Sequence, residues 1–172
     1  PGDDRVHSGP RHVQVVAPHG GEEAFDFDRV FGAHTPQEVV FEEVARQPVL
    51  DCVERLASTA IIAFGASSGG KTFAITGGVQ RFADRGLIPR SISAMFEALS
   101  ARPDRADYEV SVSFYEIYKD NILDLLSGPR RPPAMATPAV EDMRALRRRV
   151  SAESDAYHLL FQGDASRHFE QL

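Results

Sequence analysis

A short glycine-rich segment carries residue types that bind phosphate. Residues 64–72 read F-G-A-S-S-G-G-K-T, so Gly65, Gly70, Lys71 and Thr72 satisfy the pattern G-x-x-x-x-G-K-[ST]. Glycines let the backbone bend tightly and bring its N–H groups against phosphate oxygens. The lysine of this pattern reaches the β- and γ-phosphates, and the next hydroxyl ligates the magnesium ion that bridges them. The sequence therefore predicts a nucleotide phosphate site with Thr72 as the metal ligand.

The residues around this loop predict the strand and the helix that the pattern requires. Residues 59–64, T-A-I-I-A-F, form an apolar run of strand length, which is typical of a buried parallel strand. Residues 72–76 can begin a helix, whose positive N-terminal end would face the same anion. The alternative is a glycine-rich turn between strand and helix in which Lys71 is merely solvated.

Composition bounds the class of protein. The 172 residues suffice for one domain with a core, and 42% hydrophobic with 26% charged residues is ordinary for a globular protein. A net charge of −6 argues against a nucleic-acid partner, and without an apolar run near 18 residues we expect no membrane partner. The single cysteine excludes an internal disulfide. We expect one domain over residues 1–172, frayed at 1–11, with a proline-rich loop at 128–138.

Basic residues cluster late in the chain. Six arginines fall within a 20-residue stretch, and three of them are consecutive. One interpretation is a solvated loop, and the other is a local patch for an acidic partner. The arginines are Arg130, Arg131, Arg144, Arg147, Arg148 and Arg149.

The remaining pattern alternates strands and helices. T-P-Q-E at 35–38 predicts a helix start with Thr35 as N-cap, and Pro48 should interrupt that helix. An i, i+3, i+4, i+7 apolar stripe predicts a helix after Pro89, and alternation predicts a strand over 108–118. Residues 121–126 predict a short helical turn, and Ser151 predicts the cap of a last helix that breaks at Gly163. The fold class is therefore α/β, with a central mixed sheet flanked by helices.

Several of these segments together resemble the kinesin motor domain. The similar blocks occur in the order of that family and span roughly residues 25–168. The resemblance implies an incomplete phosphate-loop NTPase fold of the kinesin type. The blocks are F-D-F-D-R-V-F at 25–31, Q-E-V-V-F at 37–41, the loop and helix at 63–76, R-G-L-I-P-R at 85–90, S-F-Y-E-I-Y at 113–118 with D-L-L at 124–126, and L-L-F-Q-G at 159–163 with Ser166-Arg167.

The resemblance implies a microtubule-associated motor that binds ATP or ADP with Mg²⁺. It places Arg167 near the switch region and Arg147, Arg148 and Arg149 near a tubulin-facing loop. Residues 76–86 and 159–164 are most similar to kinesin-nine members, which implies the cytoplasm and cytoskeleton, and a ciliary or flagellar axoneme with further axonemal partners. By the same resemblance the phosphates are held by Gly65, Ser67, Ser68, Gly69, Gly70, Lys71 and Thr72, and Phe73 lies toward the base.

The sequence also departs from the family pattern. Ala66 stands where the family usually has Gln, and Gly69 where it has Ser or Ala. The given sequence contains no R-x-R-P segment for adenine and neither switch motif, N-x-x-S-S-R-S-H or D-L-x-G-x-E. Because phosphoryl transfer depends on positioning, we expect no hydrolysis by this chain alone. Bare strand edges and apolar faces predict a longer polypeptide or a covering partner.

Two further functional hypotheses stay open from the sequence. One is a catalytically silent, kinesin-derived binding module of a ciliary microtubule assembly. The other is an unrelated phosphate-loop NTPase, which would need a base-recognition motif and an acidic strand that are not evident here.

Overall fold

The computed structural model of the chain describes residues 6–17, 19–78, 81–119, 121–127, 135–136 and 144–167. The chain forms two compact units. The first comprises Pro1–Ala45 and Ala63–Leu87, and the second comprises Arg46–Ile62 and Ile88–Leu172. The single domain over 1–172 stays a prediction.

The first unit opens with a three-stranded antiparallel sheet. Its strands are β1 (Val6–Ser8), β2 (His12–Val16) and β3 (Glu22–Asp26), in that spatial order. The register pairs Val6 with Val15 and Val13 with Phe25. The predicted fraying is therefore wrong at β1, because its backbone groups pair with β2, while residues 1–5 lie outside the described residues.

The described residues of the first unit include two α-helices, α1 (Gln37–Val44) and α3 (Lys71–Ile75). The predicted Thr35 cap of α1 is wrong, since Pro36 is the N-cap residue and no side chain caps the helix. The buried positions of this segment are Gln37, Phe41 and Ala45, which follow an i, i+4 spacing. Val44, the last residue of α1, is 41% exposed.

The second unit has a core between helices and a two-stranded sheet. Its helices are α2 (Arg46–Glu54), α4 (Leu87–Ser100) and α5 (Glu153–Ala165). The first residue of α4, Leu87, is assigned to the first unit. Antiparallel β4 (Val110–Val112) and β8 (Arg148–Val150) form the sheet. No helix of the described residues is long and apolar enough to cross a bilayer. The buried cluster is formed by Ile92, Val150, Ala156 and Leu160, with Ile88, Phe96, Val110, Val112, Phe114, Tyr157 and Leu159 packed against it.

A second sheet in this unit corrects two predictions. Residues 108–118 form two strands, β4 and β5 (Tyr115–Tyr118), which belong to different sheets. The predicted helical turn at 121–126 is wrong, because β6 (Asn121–Asp124) pairs with β5 and aligns Ile122 with Ile117. Within the predicted loop at 128–138, β7 (Met135–Ala136) pairs with β6, and the rest lies outside the described residues.

A bend at the end of α4 is held by a two-bond ion pair. The Arg102 guanidinium donates to both carboxylate oxygens of Asp104 at 2.8 Å. This hydrogen bonding lowers the pKa of Asp104 below its usual value. The Arg102 guanidinium also lies 5.1 Å from the ring centroid of Tyr108.

Residues 59–64 differ most from the prediction. They form no regular structure, and the whole segment is exposed, with Ile62 at 80% and Phe64 at 90%. A strand is stabilised by ladder hydrogen bonds to neighbouring strands, and none of the described strands pairs with this segment. The predicted buried parallel strand is therefore wrong for this chain, and the described sheets are all antiparallel.

Candidate phosphate-binding site

The backbone of the glycine loop turns through left-handed conformations. Gly65 has φ 141°, Ser68 has φ 61° and Gly70 has φ 82°. Gly69, between the last two, is not left-handed, and its N–H donates to the Ala66 carbonyl at 3.1 Å. Alternating conformations of this kind form backbone nests, which bind anions through their N–H groups. Gly65 and Gly70 thus adopt backbone conformations that favour glycine.

The side chain of Lys71 lies against its own loop. Its Nζ donates to the Gly65 carbonyl at 2.9 Å and to the Ala66 carbonyl at 2.6 Å. These bonds place a positive charge among the loop residues. A bound phosphate would therefore meet a cation already at the loop, in exchange for part of this hydrogen bonding.

The hydroxyl groups of the loop are available to ligands. Ser67, Ser68 and Thr72 are exposed, and their side chains form no hydrogen bond with the described residues. A magnesium–nucleotide complex needs hydrogen-bond donors for its phosphate oxygens and an oxygen ligand for the metal. The loop offers backbone N–H groups and one ammonium as donors and the Thr72 hydroxyl oxygen as a ligand, so the residues fit that complex. Such a complex would supply the phosphate charge to Lys71 and a hard cation to Thr72.

The helix after the loop is short and closely packed at its end. The Gln37 side chain, from α1, donates from Nε2 to the carbonyl of Phe73 in α3 at 2.6 Å. Gly86 lies so near that an added Cβ would be 2.6 Å from the Ile75 carbonyl oxygen. The Phe73 side chain is 50% exposed, so it is accessible to a base. Sequence reasoning missed Gln37, although its i+4 spacing from Phe41 was a signal that it is buried.

The arginine cluster predicted to face tubulin lies on and beside β8. Arg148 Nη2 lies 2.7 Å from Asp124 Oδ2, whose side chain is 6% exposed. Arg149 Nη1 lies 3.3 Å from Glu109 Oε2, and both side chains are well exposed. Arg147 is exposed and forms no ion pair with the described residues. The structure thus divides the cluster, because Arg148 is paired with a buried carboxylate and Arg147 is exposed without an ion pair among the described residues.

Arg167, predicted to lie near the switch region, belongs to the second unit. It forms an i, i+3 ion pair with Asp164 at 3.2 Å. The glycine loop belongs to the first unit.

A family model described as the kinesin motor domain matches residues 5–172. The chain belongs to the kinesin motor domain family. Mouse kinesin-like protein KIF9 is 34% identical over 139 residues, which cover 76% of this chain and 17% of that protein. Rat kinesin-like protein KIF27 is 35% identical over 120 residues, covering 68% of this chain and 8% of that protein.

Other kinesins give similar figures. The Drosophila melanogaster kinesin heavy chain is 32% identical over 147 residues, covering 83% of this chain and 15% of that protein. The predicted family is thus confirmed, and so is its likeness to kinesin-nine, with KIF27 similar to the same degree. The chain spans less than a fifth of the length of these relatives.

The fold agrees with the family. A solved structure described as that of a fast kinesin matches with a TM-score of 0.74 at 24% identity. The match covers 94% of this chain and 47% of the other. The predicted incomplete phosphate-loop NTPase fold of the kinesin type is confirmed. The central mixed sheet predicted with it is not formed by the described residues, whose strands lie in three separate antiparallel sheets.

Proposed function

We propose that this chain is the nucleotide-binding part of a kinesin-like microtubule motor domain, and that residues 65–72 bind ATP or ADP with Mg²⁺. The observation that carries the proposal is the loop within a chain that matches the kinesin motor domain over residues 5–172. In that loop the Lys71 ammonium lies against the Gly65 and Ala66 carbonyls, beside left-handed Gly70.

Each residue of the loop has a distinct role in this proposal. The N–H groups of Ser67, Ser68 and Gly70 bind phosphate oxygens, whereas Gly65 and Gly69 form the turns of the loop, the Gly69 N–H donating to the Ala66 carbonyl. In addition, Lys71 neutralises phosphate charge, the Thr72 hydroxyl ligates Mg²⁺, and the exposed Phe73 ring contacts the base.

Binding of a fluorescent ATP analogue with Mg²⁺ tests this site. Lys71→Ala is expected to weaken binding tenfold to about a hundredfold, because it removes a charged hydrogen-bond donor. Lys119→Ala is the matched control, since Lys119 is the other lysine of the sequence and lies beside Tyr118 in the second unit. Binding unaffected by Lys71→Ala would contradict the assignment. Absence of binding by a folded wild-type chain would favour the catalytically silent module.

ATP hydrolysis and motility are proposed for the full-length parent protein. The family match supports this proposal. It is made for the full-length parent because the given sequence contains neither switch motif. ATPase assays of the full-length parent, with and without microtubules, test this step. We expect stimulation by microtubules and its loss in Lys71→Ala, whereas equal rates in both variants would contradict it.

Arg147 is the candidate for contact with acidic tubulin. It is exposed without an ion pair among the described residues, whereas Arg148 and Arg149 are paired. Co-sedimentation with microtubules at low salt tests the contact, since rim charges act most strongly there. Arg147→Ala is expected to weaken binding more than Arg149→Ala, and the reverse order would contradict the assignment.

The parent is further proposed to act on the cytoskeleton of a cilium or flagellum, where other axonemal proteins would be its neighbours. This rests on the likeness of residues 76–86 and 159–164 to kinesin-nine members. Imaging of the tagged full-length parent in ciliated cells tests it. Axonemal signal is expected, and signal confined to cytoplasmic microtubules would contradict the ciliary assignment.

A further inference from the structure

Gln37 is a polar residue at a buried position. It is the first residue of α1 and is 7% exposed. Its Nε2 donates to the carbonyl of Phe73, which is 36 residues away along the chain and belongs to the same compact unit. The bond length is 2.6 Å. Buried polar side chains are nearly always hydrogen-bonded, and the bond made by Gln37 links α1 to α3.

The Phe73 carbonyl accepts this bond because α3 ends two residues later. In a longer helix its donor would be the N–H of Gly77. That N–H donates instead to the Thr72 carbonyl at 3.2 Å, which also accepts from Thr76 at 2.8 Å. Phe73 thus has a carbonyl of the kind that a helix C-terminus leaves without an intrahelical donor.

A five-residue helix depends on such external contacts. Helices this short do not persist by their own hydrogen bonds, so neighbouring elements must hold them. Backbone contacts hold the residues after α3, where the Gly86 N–H donates to the Thr76 carbonyl at 3.1 Å. The Gln37 bond acts on α3 itself, one residue after Thr72.

We propose that Gln37 is a positioning residue for the phosphate loop, because its side chain fixes the helix that begins with Lys71 and Thr72. This inference rests on the proposed function and deepens it. With the bond present, the Lys71 ammonium and the Thr72 hydroxyl belong to a helix that is already ordered before a ligand binds. Without it, α3 loses its side-chain link to α1, and the ordering cost is met from binding energy.

The test compares two replacements of Gln37 with a control in the same helix. Gln37→Met retains the size of the side chain but removes the donor, and Gln37→Glu places a carboxylate against the carbonyl. We expect Gln37→Met to weaken binding of the fluorescent ATP analogue with Mg²⁺ about tenfold, which corresponds to one part-buried acceptor left without its donor. Gln37→Glu should weaken it further. Phe41→Leu alters a buried neighbour without touching the bond, and we expect its affinity to stay within about twofold.

Hydrogen exchange in the nucleotide-free protein gives a second readout. The amides of Ala74 and Thr76, which donate to Gly70 and Thr72, report on α3. The paired amides of β2 and β3 report on the stability of the same unit. Gln37→Met is expected to speed exchange at α3 about tenfold while leaving the β2–β3 amides unchanged. Equal acceleration at both places would reduce Gln37 to a general packing residue and overturn the proposal.

The two readouts separate the possible failures. If the folded wild-type chain binds no nucleotide, the proposed function fails. Faster hydrogen exchange confined to α3 in Gln37→Met would still support the role of Gln37 in holding that helix. If Gln37→Met changes neither affinity nor exchange at α3, the positioning role is wrong whether or not the loop binds nucleotide.

Discussion

Ser68 carries the conformational strain of the glycine loop. Its φ of 61° is left-handed, a region that costs a residue with a Cβ roughly 1–2 kcal/mol. Ser68→Gly removes this cost and loses about 0.5–1 kcal/mol to the greater freedom of the unfolded chain. We expect the free energy of unfolding to rise by up to about 1 kcal/mol in urea titrations.

Ser67→Gly is the matched control for this prediction. Ser67 is the exposed neighbour of Ser68, and its φ is not left-handed. Its replacement should lower the free energy of unfolding slightly, because only the entropy of the unfolded chain changes. If both variants shift stability in the same direction, the strain assigned to Ser68 is wrong.

The arginines of β8 differ in what they contribute to stability. Arg148 pairs at 2.7 Å with Asp124, whose carboxylate is nearly buried and also accepts from the Leu126 N–H. Arg148→Ala would leave that carboxylate without its cation, and since Arg148 is itself 36% exposed we expect a loss of about 2 kcal/mol of unfolding free energy. Arg149→Ala removes an exposed pair and should cost less than about 1 kcal/mol. Thermal or urea unfolding measures both, and equal losses would contradict the difference.

At this scale the sequence was informative about residue types and less so about their partners. The loop pattern identifies Lys71 and Thr72 as candidate ligands and indicates where glycine is needed, because these requirements are local. The pairing of Arg148 with Asp124 joins residues 24 apart, and the bond from Gln37 to Phe73 joins residues 36 apart. Such pairs depend on tertiary packing, which no local spacing reports.

Among the elements, α5 packs most closely at a glycine. Gly163 lies within α5, and a Cβ added there would be 2.1 Å from Cδ1 of Phe114. Gly163→Ala should gain about 1 kcal/mol of helix propensity and lose more through overpacking, for a net cost of about 1–2 kcal/mol. Unfolding in urea measures the change.

Two further variants test the cause. Gly32→Ala, at a glycine with no atom within 4 Å of an added Cβ, should be nearly neutral. Gly163→Ala should lower the free energy of unfolding less in the Phe114→Leu background than in the wild-type chain, because the two changes couple. A stabilised Gly163→Ala would show that the helix shifts away from Phe114 at little cost.

The elements show where a local pattern is insufficient. The apolar stripe of α4 predicted a buried face correctly, since Ile92 and Leu99 are buried. The same reasoning failed at residues 59–64, because an apolar run specifies a strand only where a neighbouring strand supplies hydrogen bonds. It also failed at Gly163, which continues the helix, since contact with Phe114 favours glycine there.

For the whole molecule, the exposed apolar segment predicts self-association. Leu56, Ile62 and Phe64 are each at least 75% exposed, which is unusual for large apolar side chains in one short segment. Sedimentation velocity should detect oligomers of the chain at micromolar concentration. An Ile62→Thr, Phe64→Ser double variant should shift the distribution toward monomer without lowering the unfolding free energy. Equal association in both proteins would contradict this origin.

We propose that this kinesin-family chain binds a magnesium–nucleotide complex at residues 65–72, and the other functional assignments depend on this binding. A residue-resolved NMR titration of the chain with MgADP tests it most directly. We predict that the largest amide shifts occur at Gly65, Gly70, Lys71 and Thr72, that Lys71→Ala abolishes them, and that Lys119→Ala retains them. Shifts concentrated elsewhere in a folded chain, or none at saturating MgADP, would contradict the account.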